Sequence, residues 1–279
     1  MRILIFLMSS FLTLFGVEIY NGKTRIIPLS SASGTVEVGG EKLNVLPNPA
    51  DPQYGMVMIP IDYHTGPQKI SAKWRNDLGE LEIPIEIQAY PYPTETLSVE
   101  SSKVTPPPEA LTRIAEEKAE AEKIYNTITP LRYWDKPFIY PMESNITSYY
   151  GSARTYNGIL KSYHGGVDFR ARTPLPILAT NDGVVVLVKD RYYAGGTVII
   201  DHGEGIYSCY FHMSQFDVKV GERVGRGQTI GLTGATGRIT GPHLHFGMMV
   251  LGLQSDPLDF IDQIKALFPK EPNETLVSR

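Results

Sequence analysis

The chain has a single cysteine, Cys209, in 279 residues. An internal disulfide framework and a multi-cysteine zinc site are thereby excluded, so any metal must be held by His, Asp or Glu. The chain also lacks a basic excess. Lys plus Arg number 26 against 30 Asp plus Glu, a net charge of −4, which gives no footing for nucleic-acid binding by phosphate neutralisation. No His-Glu-x-x-His sequence occurs, so no helix-borne glutamate stands ready as a base beside paired ligands. Nor is there the run of about twenty apolar residues that a spanning helix needs. Residues 3–17, after Arg2, are uncharged and largely apolar, with Ser9, Ser10 and Thr13 as interruptions. That pattern predicts a secretory signal over residues 1–17, cleaved near Gly16. An uncleaved membrane anchor is the alternative. No cysteine follows the run, which excludes a lipid-modified N-terminus.

The full chain is of ordinary globular composition, 42% hydrophobic and 20% charged. Up to Tyr90 apolar residues recur at every second position, as in Lys69-Ile-Ser-Ala-Lys-Trp74 and Leu81-Glu-Ile-Pro-Ile-Glu-Ile87. Turn signals such as Gly39-Gly40 and Asn76-Asp77 punctuate these runs, which predicts a small, immunoglobulin-like β-sandwich over residues 18–92. Pro84 restricts its strand to a sheet edge or a bulge. Residues 93–130 read as a connector, with an Ala-, Glu- and Lys-rich helix over 110–128 capped by Thr105. Its apolar stripe is thin, which predicts a solvated helix between two domains. From 131 to 268 Gly, Thr, Val and Ile dominate, with strand-like runs at 184–188, 197–200, 208–211 and 244–250. This predicts a second, mostly antiparallel β domain with glycine-rich loops, followed by a polar tail over 269–279. The fold class is mainly β.

Five of the six histidines, His164, His202, His212, His243 and His245, fall in that second domain. His164-Gly-Gly-Val-Asp168 sets an imidazole and a carboxylate four residues apart, with glycines that favour a turn into a strand. His243-Leu-His245 puts two imidazoles on one face of a strand and Leu244 on the other. Two close imidazoles resist simultaneous protonation, which suits one as ligand and the other as a neutral base. One carboxylate and two imidazoles make a three-ligand zinc site with the fourth position open, the catalytic arrangement. The base then has to come from the remaining histidines.

Three blocks in order carry a resemblance: His164-Gly-Gly-Val-Asp168, Tyr207-Ser-Cys-Tyr-Phe-His212-Met-Ser214 and Gly241-Pro-His-Leu-His-Phe246. Together, over residues 146–250, they resemble the lysostaphin/LytM-type zinc peptidases of bacterial cell walls. The resemblance implies a LytM-type antiparallel β fold and one Zn²⁺ per chain, held by His164, Asp168 and His245. His212 and His243 are then the catalytic pair, flanking the water that attacks the scissile carbonyl. The implied substrate is the stem peptides of peptidoglycan. An N-terminal β module and a helical connector are similar to Gram-negative periplasmic members, which implies D,D-endopeptidase cleavage of the D-alanine to meso-diaminopimelate cross-link. Trimming of terminal D-alanine, a D,D-carboxypeptidase action, is the second activity. Some relatives have lost ligands and only activate other hydrolases. Such an idle scaffold is the alternative here, disfavoured by the complete ligand set. The N-terminal domain is expected to restrain the enzyme by covering the groove; recruiting a membrane or divisome protein is the competing reading.

Other residues have plainer readings. His202 reads as a turn residue or a support behind the ligands, His64 as an exposed loop residue, and Cys209 as a small core residue. Tyr149, Tyr150, Tyr192 and Tyr193 fit either a substrate groove or core and rim packing.

Overall fold

The computed structural model describes residues 16–172 and 174–269. The leader expected over residues 1–17 lies outside them apart from Gly16 and Val17, and the expected tail lies outside apart from Pro269. Contacts divide the chain into two units. One takes the residues up to Tyr90 with Asp135–Pro137 and those from Asp259 on; the other takes Pro91–Trp134 and Phe138–Leu258. Among the described residues no helix is long and apolar enough to cross a membrane.

The first unit contains β1 (Val17–Tyr20), β2 (Thr24–Leu29), β3 (Thr35–Val38), β4 (Glu41–Asn44), β5 (Leu46–Pro47), β6 (Gly55–Pro60), β7 (Gln68–Asn76) and β8 (Gly79–Gln88). They form two sheets, ordered β1-β8-β7-β3-β4 and β2-β6-β5. Alternation in β8 buries Ile83, Ile85 and Ile87, each worth about 1.5–3 kcal/mol. They join Val36 and Trp74 of one sheet and Ile27, Val57 and Ile59 of the other in a single core, the arrangement of a sandwich. Pro84 sits at a local edge, because parallel pairing with β1 begins only at Ile85. The free edge of β2 is closed by the chain's C-terminal helix, where Gln263 accepts a hydrogen bond from Ile26 N at 2.9 Å and Asp259 pairs with Lys23 at 3.2 Å.

The second unit begins earlier than the sequence suggested. It contains β9 (Thr94–Leu97), helix α1 (Pro108–Tyr125), β10 (Ile146–Ser148), β11 (Ala153–Tyr156), β12 (Leu160–Tyr163), β13 (Val167–Arg170), β14 (Pro176–Leu178) and β15 (Gly183–Arg191). There follow β16 (Gly195–Gly203), β17 (Ile206–Phe216), β18 (Arg223–Val224), β19 (Thr229–Thr233), β20 (His243–Val250) and β21 (Leu253–Ser255), and then α2 (Pro257–Lys265), which belongs to the first unit from Asp259 on. The main sheet runs β10-β13-β20-β17-β16-β15-β18, and β17 also pairs with β19. Every residue of β16 is buried, as expected of a strand covered on both faces. A smaller sheet, β12-β11-β9, joins the residues read as connector to the rest of the second unit through parallel pairing of β9 with β11.

Two expectations about α1 fail. Its N-cap is Pro107, with Pro108 at the first helical position, where a missing N–H costs nothing. Thr105 instead belongs to the preceding turn, its N–H donating to Ser101 O. The helix is also a packed element rather than a solvated bridge. Glu117, nearly fully buried, accepts from Tyr192 N at 2.8 Å and pairs with Arg113, while Lys189 at the end of β15 pairs with Glu120. The thin stripe suffices because polar anchors supplement it.

Candidate metal centre

Strand pairing brings the distant motifs to one face of the main sheet. Asp168 of β13 stands opposite His245 of β20, Arg170 opposite His243, and Phe211 of β17 opposite His245 from the other side. Paired residues share a face, so alternation sends both histidines inward together while Leu244, fully buried, points the other way. The glycines before Asp168 have a steric cause. A Cβ on Gly166 would lie 2.4 Å from Phe246 O and 2.6 Å from His245 Nε2. Only glycine lets the chain cross β20 closely enough to deliver His164.

Alternation alone would send His212 to the wrong face, with Tyr210. A bulge corrects this. Between the pairs Gly196–Met213 and Val198–Tyr210, β17 spends two residues, Phe211 and His212, against Thr197 alone. His212 takes φ +62°, a left-handed conformation strained for a bulky residue. Its ring thereby meets those of His243 and His245, with centroids 4.7 and 6.1 Å apart.

His164 Nε2, Asp168 Oδ1 and His245 Nδ1 form a triangle with sides of 2.8, 2.9 and 2.9 Å. These residues form a group able to hold a metal ion, and the triangle suits a cation at the roughly 2.0–2.2 Å ligand distances of zinc. The protons support this fit. His164 Nδ1 lies 2.9 Å from Tyr149 O, which can only accept, so Nδ1 carries the hydrogen. In that tautomer Nε2 is a bare lone pair aimed at Oδ1, another acceptor, and a cation resolves that opposition. The same device sets the other two histidines. His212 Nδ1 donates to Thr236 O at 2.8 Å and His243 Nδ1 to Gly241 O at 2.7 Å, leaving both Nε2 atoms free to accept a proton.

Electrostatics keep His212 and His245 neutral and the carboxylate charged. Burial, reinforced by the two neighbouring histidines, pushes His212 down to about 3, and burial takes His245 to about 4. Burial works to raise Asp168, but the influence of the neighbouring His164 and His245 outweighs it and holds the carboxyl well below the usual range.

Behind Asp168 lies a brace that sequence reasoning missed. Its second oxygen, Oδ2, accepts from Arg154 Nη2 at 2.9 Å, and Arg154 Nε donates to Glu95 Oε2 at 2.9 Å. Ser148 Oγ donates to Glu95 Oε1 at 2.7 Å, receives Arg154 Nη2 at 2.8 Å and lies 3.1 Å from His164 Nδ1. The ring of bonds thus ties both ends of the His-x-x-x-Asp block to β9 and β11. Burial would raise Glu95, yet the bonds from Ser148 and Arg154 prevail and lower it.

Residues 162–257 match the description of peptidase family M23. That match covers about a third of the chain and lies within the second unit. Among solved structures, one from Pseudomonas aeruginosa assigned to peptidase M23 is 26% identical, with a TM-score of 0.68, covering 90% of this chain and 97% of that one. Among curated proteins, the peptidoglycan DD-endopeptidase ShyA of Vibrio cholerae is 47% identical over 89 residues, 32% of this chain and 21% of that protein. The glycyl-glycine endopeptidase ALE-1 of Staphylococcus capitis is 38% identical over 124 residues, 42% of this chain and 34% of that protein. The chain therefore spans about a fifth to a third of these curated relatives. Glu95 and Arg154 fall outside the residues that define the M23 match.

The remaining expected residues sort by surroundings. His202 lies fully buried on the side of the sheet shared by Ser208 and Tyr210, away from the metal face, with Nδ1 donating to Asp182 O and Nε2 meeting Ser208 Oγ, both at 2.7 Å. Burial takes it to about 4. His64 is exposed. Cys209 is core, its thiol pushed up to about 12 by burial. Of the tyrosines, Tyr150 is buried, Tyr149 is exposed, Tyr192 packs beneath Lys103 and Tyr193 lines a cleft of about 750 Å³ that opens on the five-residue cluster.

Proposed function

We propose that the M23 domain is a zinc-dependent peptidoglycan hydrolase, with His164, Asp168 and His245 as ligands and His212 and His243 as the catalytic pair. The observation that carries it is the convergence of those five side chains on one wall of a cleft, with the tautomers of His164, His212 and His243 each fixed by a carbonyl. A bound zinc ion would polarise the scissile carbonyl and lower the pKa of water towards neutrality. The rest belongs to the chain. His212 Nε2, neutral and unprotonated, takes the proton of the attacking water. His243, held by Gly241 O, offers its own bare Nε2 as the second proton carrier: it takes the proton from His212 and passes it to the departing amine. Asp168 remains ionised throughout.

The bond cleaved is read as the D,D cross-link between D-alanine and meso-diaminopimelate, with trimming of terminal D-alanine as a lesser activity. The name and 47% identity of ShyA support that reading over a glycine bridge. A wall substrate requires export, so the leader reading of residues 1–17 places the enzyme in the periplasm. The idle-scaffold alternative draws no support from a site that has all its donors.

Mass spectrometry of cross-linked muropeptides after treatment with zinc-loaded protein tests the reading. Conversion of dimers to monomers is expected, and His212→Ala should retain one zinc per chain yet lose at least a hundredfold in rate. Intact dimers with a zinc-loaded wild-type protein would refute it.

A further inference from the structure

The chain is acidic overall, but the charge left over in the cleft is positive. Its carboxylates are engaged: Asp168 and Glu95 with Arg154, Glu117 with Arg113, Glu122 with Lys118. Three guanidinium groups in the same lining have no carboxylate; Arg191 donates instead to the Glu117 carbonyl at 2.8 Å, which leaves two. Among the described residues no carboxylate pairs with Arg170 or with Arg238.

Their placement is specific. Arg170, exposed on β13, stands opposite His243 and so shares the face of the histidines. Arg238 lies in the loop between β19 and β20, with its guanidinium carbon 4.4 Å from the ring centre of Tyr156 and 4.8 Å from that of Tyr193. Two aromatic faces hold the plane of the group by cation–π attraction and leave its N–H edge to bind. The loop itself is pinned: Arg238 N donates to Tyr193 O at 2.7 Å, and the Thr236 carbonyl two residues earlier fixes His212. A guanidinium fork held flat and without a partner matches a carboxylate.

We propose that Arg238, cradled by Tyr156 and Tyr193, and Arg170 are two carboxylate-binding positions flanking the hydrolytic centre, so that the cleft selects a peptide with free carboxylates on both sides of the scissile bond. This rests on the hydrolase reading and narrows its substrate. In the sheet order β13 and β16 enclose β20 and β17, so Arg170 and the Tyr193 end of the cleft lie on opposite sides of the histidines. Three strand spacings are on the order of 14 Å, the span of about four extended residues. Stem peptides cross-linked through diaminopimelate carry carboxylates at such intervals, whereas a glycine bridge carries none.

The test uses the full chain, zinc-loaded, and two cross-linked muropeptides that differ only in amidation of the diaminopimelate carboxylates. Wild type should prefer the free acid by about tenfold or more in kcat/KM, the size of one charge-assisted hydrogen bond. Arg238→Gln should bring that ratio near one, chiefly through KM, and Arg170→Gln should reduce it. Unchanged zinc content and melting temperature exclude a folding defect. A wild type indifferent to amidation, or variants that keep its preference, would overturn the proposal. Calorimetric binding of the uncross-linked stem tetrapeptide, acid against amide, needs no turnover. Acid-selective binding without cleavage sinks the hydrolase reading and keeps the carboxylate positions; equal binding sinks the positions alone.

Discussion

Replacing Arg154 by Met would separate two things the brace does at once, balancing charge and aiming a ligand. The side chains of Arg154 and Asp168 are 10% and 9% exposed, so the pair is effectively buried, and breaking such a pair costs on the order of 3–5 kcal/mol. Glu95, at 25% exposure, is partly solvated and moves the expectation to the lower end, about 3 kcal/mol. In chelator, then, Arg154→Met should lose about 3 kcal/mol in denaturant unfolding, because two carboxylates are left facing each other. Metal affinity should fall by roughly 10–100-fold, since Asp168 Oδ2 no longer has the donor that turns Oδ1 towards the histidines. Adding Glu95→Gln removes the stranded charge. The double variant should therefore regain a large part of the stability but little of the affinity. Zinc affinity would be read by competition with a chromogenic chelator. An affinity within twofold of wild type in Arg154→Met, or full recovery of affinity in the double variant, would refute the reasoning.

Two further outcomes follow from the same site and its surroundings. Gly166→Ala places a Cβ against Phe246 O and the His245 ring, so zinc affinity should drop at least tenfold while the first unit's core is untouched; equal zinc titration curves would dismiss the close-approach argument. His202 is neutral in the fold, at about 4 against the usual 6.5, so the unfolded chain binds the extra proton. Its stabilising effect is complete above pH 6.5 and is lost as pH falls from 6.5 to 4. The span amounts to about 3 kcal/mol. In chelator the wild-type unfolding free energy should fall more steeply over that window than that of His202→Gln; parallel curves would count against it.

The sequence made the proposed ligand set legible because each block is short and self-consistent. His243 and His245 need only a strand to share a face, and Gly165-Gly166 announces the turn that brings His164 to Asp168. Sandwich alternation in β7 and β8 was equally plain. What stayed hidden depends on partners far along the chain. Glu95 and Arg154 are 59 positions apart, and nothing local marks Glu95, which sat in what read as a connector. The helix deceived for a related reason: propensity and a thin stripe describe α1 by itself, whereas the burial of Glu117 and its bond from Tyr192 N exist only once the end of β15 is alongside. Thr105 failed as a cap because the two prolines move the helix start beyond its reach.

The position of His212 carries the argument one step further. A flat sheet face offers side chains only from every second residue, so β13 and β20 can supply Asp168, His243 and His245, but β17 offers Phe211 at the level of His245. Phe211 stacks on the His245 ring, centroids 5.2 Å apart at 23°, supporting the proposed ligand from behind. A base is needed at the same level, and the regular strand has no place left for one. The extra residue supplies it, at the point where β17 leaves β20 and pairs with β19 from Met213 on. The strain of φ +62° is of order 1–3 kcal/mol, and the surrounding bonds, His212 N to Ala194 O and Nδ1 to Thr236 O, hold it in place. Bulge, stacked phenylalanine and carbonyl-locked loop are thus one device: together they put an aromatic support and a base on a face where pleating alone allows one of the two.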